Sequence, residues 1–309
     1  MEYIAGYAWD VFHCKACGCQ FTKHDTEIYD IMHKTSAISY YSDYRSIAAQ
    51  CQSHFKRKDL AALRETLDTW SKYRFIIDRI ARTPSDARLL EIGSSRGYLT
   101  SYSILDGRPI LGVDVSREAV EEARALFGDH FAVSSDPRIA AGAPYDVIYH
   151  VGMIGCVADP LGLTHDLLKL LRPGGILIFN TPNRDALHLK RQLWFDSAPP
   201  PDLVTLFPPG FFKNQFSSIA DVVEEIETLP ALQSLQITVR KMLGAAWSKP
   251  KAKPIETAGR NGLTWFQPTS GLRHLLERIV VKVGRLTGLE ALAPRQPTEF
   301  GLFVMLARK

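Results

Sequence analysis

RLLEIGSSRGYLT, residues 88–100, is the stretch on which the reading of this chain turns. Four apolar or strand-forming positions, Leu89 to Ile92, run straight into Gly93, and a second glycine, Gly97, precedes an apolar segment of helical length. A strand ending on glycine and reopening as a helix is the junction from which doubly wound sheets are built, and it is where they bind ligands. Glycine permits the sharp turn and lets a ligand approach where a Cβ would clash.

Downstream the same alternation repeats, which specifies a parallel sheet covered on both faces. PILGVDV (109–115) predicts a second strand, and Ser116 predicts the cap of a helix carrying Val120, Ala123 and Phe127 on one side. HFAVS (130–134) predicts a third strand and YDVIYHV (145–151) a fourth. Asp159-Pro160 opens a helix with Leu163, Leu167, Leu170 and Leu171, and Pro173-Gly174-Gly175 turns it into GILIFNT (175–181). Unbroken apolar runs of this kind are expected of strands buried on both faces.

The flanks are less regular. Residues 1–53 are rich in Cys, His and Tyr and read as a small N-terminal subdomain. Residues 54–84 read as a helical lead-in, 85–248 as the core, and 249–309 as a linker (KPKAKPIE, 249–256), a basic amphipathic helix and a final strand. SIADVVEEIETL (218–229) is expected to be a helix and LQITVRKML (235–243) a sixth strand. The fold class is therefore α/β: a doubly wound, Rossmann-like, seven-stranded, mostly parallel sheet with helices on both faces, plus the N-terminal Cys/His-containing piece.

Bulk properties set the frame. A 46% hydrophobic and 23% charged composition over 309 residues belongs to globular proteins able to bury a sizeable core. A formal charge of +4 with no basic block argues against nucleic acid as the default partner. No secretory signal and no long uncharged apolar stretch is seen, so the expected compartment is the cytoplasm, with no transmembrane segment. Residues 270–290 are an expected site of peripheral membrane contact, of packing against the domain, or of homodimer formation.

Spacing within the glycine loop separates cofactors. A dinucleotide loop wants a small residue where Tyr98 stands, and Glu91 would repel a pyrophosphate while suiting the ammonium of S-adenosylmethionine. Asp114 closes the second strand 21 residues beyond Gly93, where a carboxylate can accept both hydroxyls of a ribose.

With these residues in view, the chain resembles the class I S-adenosylmethionine-dependent methyltransferases, in the branch acting on small molecules or glycans that includes ubiquinone biosynthesis. LLEIGSSRGYLT is similar to the family's glycine motif, LGVDVS to its acidic ribose motif, YDVIYHVGMIGCVADPL to its fourth-strand motif and LLKLLRPGGILIFNTPN to the motif that follows. The resemblance implies S-adenosylmethionine held by Glu91, Gly93, Ser94, Ser95, Gly97, Tyr98, Asp114, Val115, Ser135 in the Ser134–Asp136 turn, and His150. It implies a small-molecule or glycan-precursor acceptor.

Two departures matter. Ser95 replaces a middle glycine, and Gly155-Cys156 replaces the Glu-His pair of a segment that usually reads like LEHVPDP. Catalytic candidates are then His150 and Asp202, the latter in PPPDL (199–203) where relatives have a histidine; His188 lies in the same region. The alternative is a catalytically silent relative that binds cofactor or a partner. Cys14 and Cys17 are candidate zinc ligands, but a closed zinc site needs four, and a vestigial knuckle is the other reading.

Overall fold

The computed structural model describes residues 9–34, 42–136, 138–190, 193–195, 198, 200–226, 251–255, 263–267, 279, 283–284, 287–288 and 301–309. The chain begins with a hairpin of β1 (Val11–His13) and β2 (Gln20–Thr22), followed by α1 (Thr26–Lys34), α2 (Ser42–Lys56), α3 (Leu60–Asp68) and α4 (Ser71–Ile80). The helical lead-in expected from residue 54 is thus the end of one helix and the whole of two more, and the expected boundary at 53/54 falls inside α2. Periodicity reports the apolar face, not the breaks. Lys58 supplies the first break with a φ of 54°, and the Asp59 carboxylate then caps α3 by accepting from the Ala62 amide at 2.9 Å.

The alternating core follows as read. In order come β3 (Leu89–Ile92), α5 (Tyr98–Leu105), β4 (Ile110–Asp114), α6 (Arg117–Phe127), β5 (Phe131–Val133), α7 (Arg138–Ala141), β6 (Tyr145–Val151), α8 (Pro160–Leu170) and β7 (Leu171–Thr181). Ser116 caps α6 by accepting from the Ala119 amide. Asp159 caps α8 from the Gly162 amide at 2.8 Å, with Pro160 in the first turn. Strand β7 starts four residues earlier than GILIFNT suggests. Gly174 takes a left-handed φ of 74° there, and a register shift against β6 between Tyr145 and Val147 absorbs the Pro-Gly-Gly turn.

The remaining elements are α9 (Asp185–Lys190), β8 (Thr205–Leu206), α10 (Phe211–Phe216), β9 (Ala220–Ile226), β10 (Lys251–Ile255), β11 (Leu263–Gln267) and β12 (Leu302–Arg308). The main sheet has seven strands in the order β5-β4-β3-β6-β7-β12-β9. The first five are parallel; β12 is antiparallel to both β7 and β9. Leu89, Val147, Tyr149 and Ile178 face α3, α4 and α5 on one side. Leu90, Ile148, Leu177 and Phe179 face α8 and α10 on the other. Both faces are buried, which is why these strands carry no polar alternation.

Two expectations change. Within the span expected as a helix, 218–229, Ala220–Ile226 form strand β9. Its glutamates suit a helix locally, but β12 has a free edge whose backbone groups need partners, and Val222, Val223 and Ile226 are β-branched. Arg79 of α4 anchors the new strand by a two-pronged ion pair with Glu224. The expected linker contains β10, paired antiparallel with β11; Pro254 is tolerated because each strand of a two-stranded ribbon keeps one unpaired edge. The expected final strand is β12, which lies between β7 and β9 in the core sheet. The strand expected over 235–243 lies outside the described residues, as does most of the helix expected over 270–290. Of that helix's apolar stripe, Ile279 and Val283 are described and exposed. Among the described residues no helix is long and apolar enough to cross a membrane.

Candidate active site

Strands β3 and β6 are neighbours, yet the chain runs outward from β3 through β4 to β5 and outward from β6 the other way through β7. Between their carboxyl ends the order reverses, and a crevice opens there. The β3–α5 loop forms its floor. Gly93, Ser95 and Gly97 all adopt left-handed φ, at 74°, 48° and 78°. At Gly97 there is also no room: a Cβ would lie 2.6 Å from the Phe131 ring. The Gly93 and Ser94 amides both donate to the Val113 carbonyl, at 2.8 and 2.9 Å, tying the loop to β4. Ser94 is buried, and its Oγ has no hydrogen-bond partner among the described residues.

Asp114 latches this floor from the end of β4. Its Oδ2 accepts from the Ser95 amide at 2.7 Å and its Oδ1 from the Ser116 amide at 2.9 Å. Burial raises its pKa, opposed by these backbone hydrogen bonds. An ionised carboxylate offers about four lone-pair sites. What the backbone amides leave open can take ligand hydroxyls.

Glu91 sits beneath the loop, buried, with Thr100 Oγ1 and Tyr149 OH donating to its Oε2. Burial pushes its carboxyl up to about 8. Tyr98 packs with Leu99 and Tyr102 in the core, and its side chain hydrogen-bonds Arg96 of the loop. Val115 follows Asp114, half-buried, and Ser135 is exposed in the turn after β5. The Ser134 amide donates to the Asp114 carbonyl at 2.9 Å, which places that turn beside the crevice.

His150 is the penultimate residue of β6, level with Ile92 and Phe179. Its ring stacks on Phe179 at 4.7 Å, and neither ring nitrogen has a hydrogen-bond partner among the described residues. Burial lowers its pKa to about 3. It is therefore an uncharged wall, too weak a base for chemistry near neutrality. Asp202 is buried and its carboxylate acts on His33 and Cys156. The His188 side chain lies outside the described residues.

Cys14 and Cys17 lie in the connection between β1 and β2. No cluster of three or more His, Cys, Asp or Glu able to hold a metal ion occurs among the described residues. The hairpin turn closes on itself instead, with the Cys14 amide donating to Cys19 O and the Gly18 amide to Cys14 O. Cys19 is drawn into the core, and hydrogen bonding from Cys17 lowers the Cys14 pKa.

Two features escaped the sequence reading. Helix α1 comes within electrostatic reach of the end of β4: the Asp114 carboxylate acts on both His33 and Tyr29. Gly155, which stands where a glutamate is usual, is a packing requirement. The segment entering β8 crosses it, with the Val204 and Thr205 amides donating to Gly155 O at 2.8 and 2.9 Å. A Cβ there would meet Thr205 O at 2.9 Å and Leu203 Cδ1 at 2.5 Å. Gly155→Ala is expected to destabilise the fold by about 1–3 kcal/mol, measured as a lower urea midpoint at unchanged slope. An unchanged midpoint would mean the crossing segment yields freely.

Residues 64–219, half of the chain, match the family described as a methyltransferase domain. The chain belongs to this methyltransferase family. Its methyltransferase domain is built on the doubly wound sheet described above. Curated relatives include the ubiquinone biosynthesis O-methyltransferase of Parvibaculum lavamentivorans, 31% identical over 34% of this chain and 44% of that one. The enzyme of the same name from Vibrio cholerae is 28% identical over 49% of this chain and 63% of that one. The chain thus spans less than two thirds of the length of these relatives. A SAM-dependent methyltransferase structure from Archaeoglobus fulgidus aligns with a TM-score of 0.45 at 15% identity, covering 77% of this chain and 92% of that chain.

The residues present fit the methyltransferase cofactor. Ser94 Oγ is a buried hydroxyl lacking a partner, Asp114 has lone pairs to spare, and Glu91 holds a buried carboxyl beneath the loop. The bulk of Tyr98 is unsuited to a dinucleotide-binding loop.

Proposed function

We propose that this methyltransferase moves a methyl group to a nucleophile on a small molecule or a glycan precursor, and that Glu91, Gly93, Ser94, Ser95, Gly97, Tyr98, Asp114, Val115, Ser135 and His150 surround the cofactor. The observation that carries this reading is the left-handed Gly93–Gly97 loop latched by Asp114 at the strand-order reversal.

When bound, S-adenosylmethionine supplies an electrophilic methyl on a sulfonium. The chain's own residues do the rest. Asp114 takes a hydroxyl pair through its spare lone pairs and fixes the register of the ligand along the crevice. Glu91, ionising as a cation enters beside it, neutralises an ammonium in a medium where water cannot. His150 and Phe179 wall the crevice and exclude water; alignment of the acceptor supplies most of the acceleration. The N-terminal hairpin with α1 is the cap, and residues 85–226 together with β12 are the catalytic body. The expected compartment is the cytoplasm.

Calorimetric titration with S-adenosylhomocysteine tests the reading. Binding at micromolar Kd or tighter, about 8 kcal/mol, is expected; no binding to the wild type overturns it. The missing Glu-His pair favours a second reading, a binder that transfers nothing. Mass-spectrometric detection of a methylated acceptor rejects that second reading.

A further inference from the structure

Cys14, Cys17 and Cys19 crowd the connection between β1 and β2; all three are free, and the methyl-transfer reading uses none of them. The Gly18 amide donates to the Cys14 carbonyl at 2.8 Å and the Cys14 amide to the Cys19 carbonyl at 2.9 Å, so the chain from Cys14 to Gly18 makes one helix-like turn. Side chains three positions apart on such a turn stand side by side, about 5–6 Å between Cβ atoms. Cys14 and Cys17 have that spacing, and their thiols are in contact. The Cys17 thiol hydrogen-bonds the Cys14 sulfur, and the Cys19 thiol hydrogen-bonds Cys17.

The two members of this pair differ. The Cys14 sulfur also accepts from the backbone amides of Cys17 and Ala16. Hydrogen bonds gathered on one sulfur favour the thiolate, the form that attacks disulfides. Lys15, exposed and positive, stands between the two cysteines in sequence and favours the thiolate further. Cys14 and Cys17 are half-buried and open to a small reagent, whereas Cys51 lies in the core. We propose that Cys14 and Cys17 are a redox-active dithiol that exchanges with low-molecular-weight disulfides such as glutathione disulfide.

Exchange runs in two displacements. The Cys14 thiolate attacks one sulfur of the small disulfide, whose S–S bond breaks, and one small thiolate leaves with the bonding pair. The Cys17 thiol then gives its proton to that leaving thiolate, and its sulfur attacks Cys14 Sγ and expels the second small thiolate. That thiolate takes up from water the proton that Cys14 released on ionising. Two cysteine thiols are oxidised to one disulfide, and one small disulfide is reduced to two thiols. Because Cys17 is held against Cys14, the second displacement is intramolecular and outruns attack by another small thiol. Cys19, buried behind the pair, is spared. Arg184, three residues beyond β7, donates from Nη1 to Gly18 O at 2.7 Å, so the turn closed by this bond is joined to the segment leaving β7.

The test incubates the reduced full chain with glutathione disulfide, traps the remaining thiols with N-ethylmaleimide and digests with trypsin. Cleavage after Lys15 puts Cys14 on one peptide and Cys17 with Cys19 on the next. The expected product joins residues 1–15 to 16–23, with fragmentation placing the bond at Cys17 and with Cys51 and Cys156 alkylated. Excess reduced glutathione should reopen it. Cys17→Ser should stop at a glutathione mixed disulfide on Cys14, which the wild type does not accumulate. Cys14→Ser should slow the loss of the turn thiols by at least about tenfold. The wild-type product decides the matter by itself if either variant unfolds. An unreacted turn, a Cys17–Cys19 bond, or a mixed disulfide that persists in the wild type overturns the proposal. So does a stoichiometric zinc ion that stays with the wild type through purification and is lost in Cys14→Ser, which makes the turn a metal site.

Discussion

Asp114→Ala is expected to weaken S-adenosylhomocysteine binding by at least about a hundredfold, about 2.7 kcal/mol. Two losses combine. The ligand's hydroxyl pair loses a charged acceptor, and hydrogen bonds to charged groups contribute about 1.5–3 kcal/mol. The loop also loses its latch, because the Ser95 and Ser116 amides give up a shared carboxylate. Ser95 then has nothing on β4 to hold it at a left-handed φ of 48°, a conformation a non-glycine residue adopts at a cost. Asp114→Asn separates the two effects: it keeps the size and one carbonyl oxygen, and should retain more of the fold than of the affinity. Calorimetry gives the affinity and thermal melting the fold. Wild-type affinity in Asp114→Ala would remove Asp114 from the cofactor site.

The second large effect is a pH dependence. Burial raises the Glu91 carboxyl from 4.5 to about 8. The folded chain therefore keeps a proton that the unfolded chain releases between these values. Protons bound in the native state exceed those in the unfolded state across that window, so this group's contribution is fully present below pH 4.5 and falls as pH rises toward 8. The loss amounts to on the order of 4 kcal/mol. Glu91→Gln carries no titrating proton, so its stability relative to wild type should climb from pH 5 to pH 8 and then level off. Urea titrations of both proteins at several pH values measure this difference, and curves that stay parallel throughout would refute it. Cofactor binding should show the converse. An ammonium beside Glu91 favours the carboxylate, so the wild type should release a proton on binding at pH 7, visible as a buffer-dependent calorimetric enthalpy. Glu91→Gln should bind more weakly and release none.

What the sequence by itself determined is local. The Leu89–Gly97 strand-and-loop, the Ser116 and Asp159 caps, the buried parallel strands and the carboxylate at the end of β4 each depend on residues adjacent in the chain. A β-strand's periodicity and a helix's cap are set by neighbours a few positions away. Asp114 and Ser95 meet because β3 and β4 are consecutive and in register.

Tertiary structure alone decided the rest. Residues 220–226 carry a helical composition and become a strand because β12, some 80 positions away in sequence, presents an edge to be paired. Across the break at Lys58, α2 and α3 fold back into contact with each other. Gly155 reads as a lost catalytic residue until the segment entering β8 is seen crossing it. In each case the deciding partner is distant in sequence. Propensity and periodicity carry no information about which buried edge, carbonyl or carboxylate the fold will bring alongside.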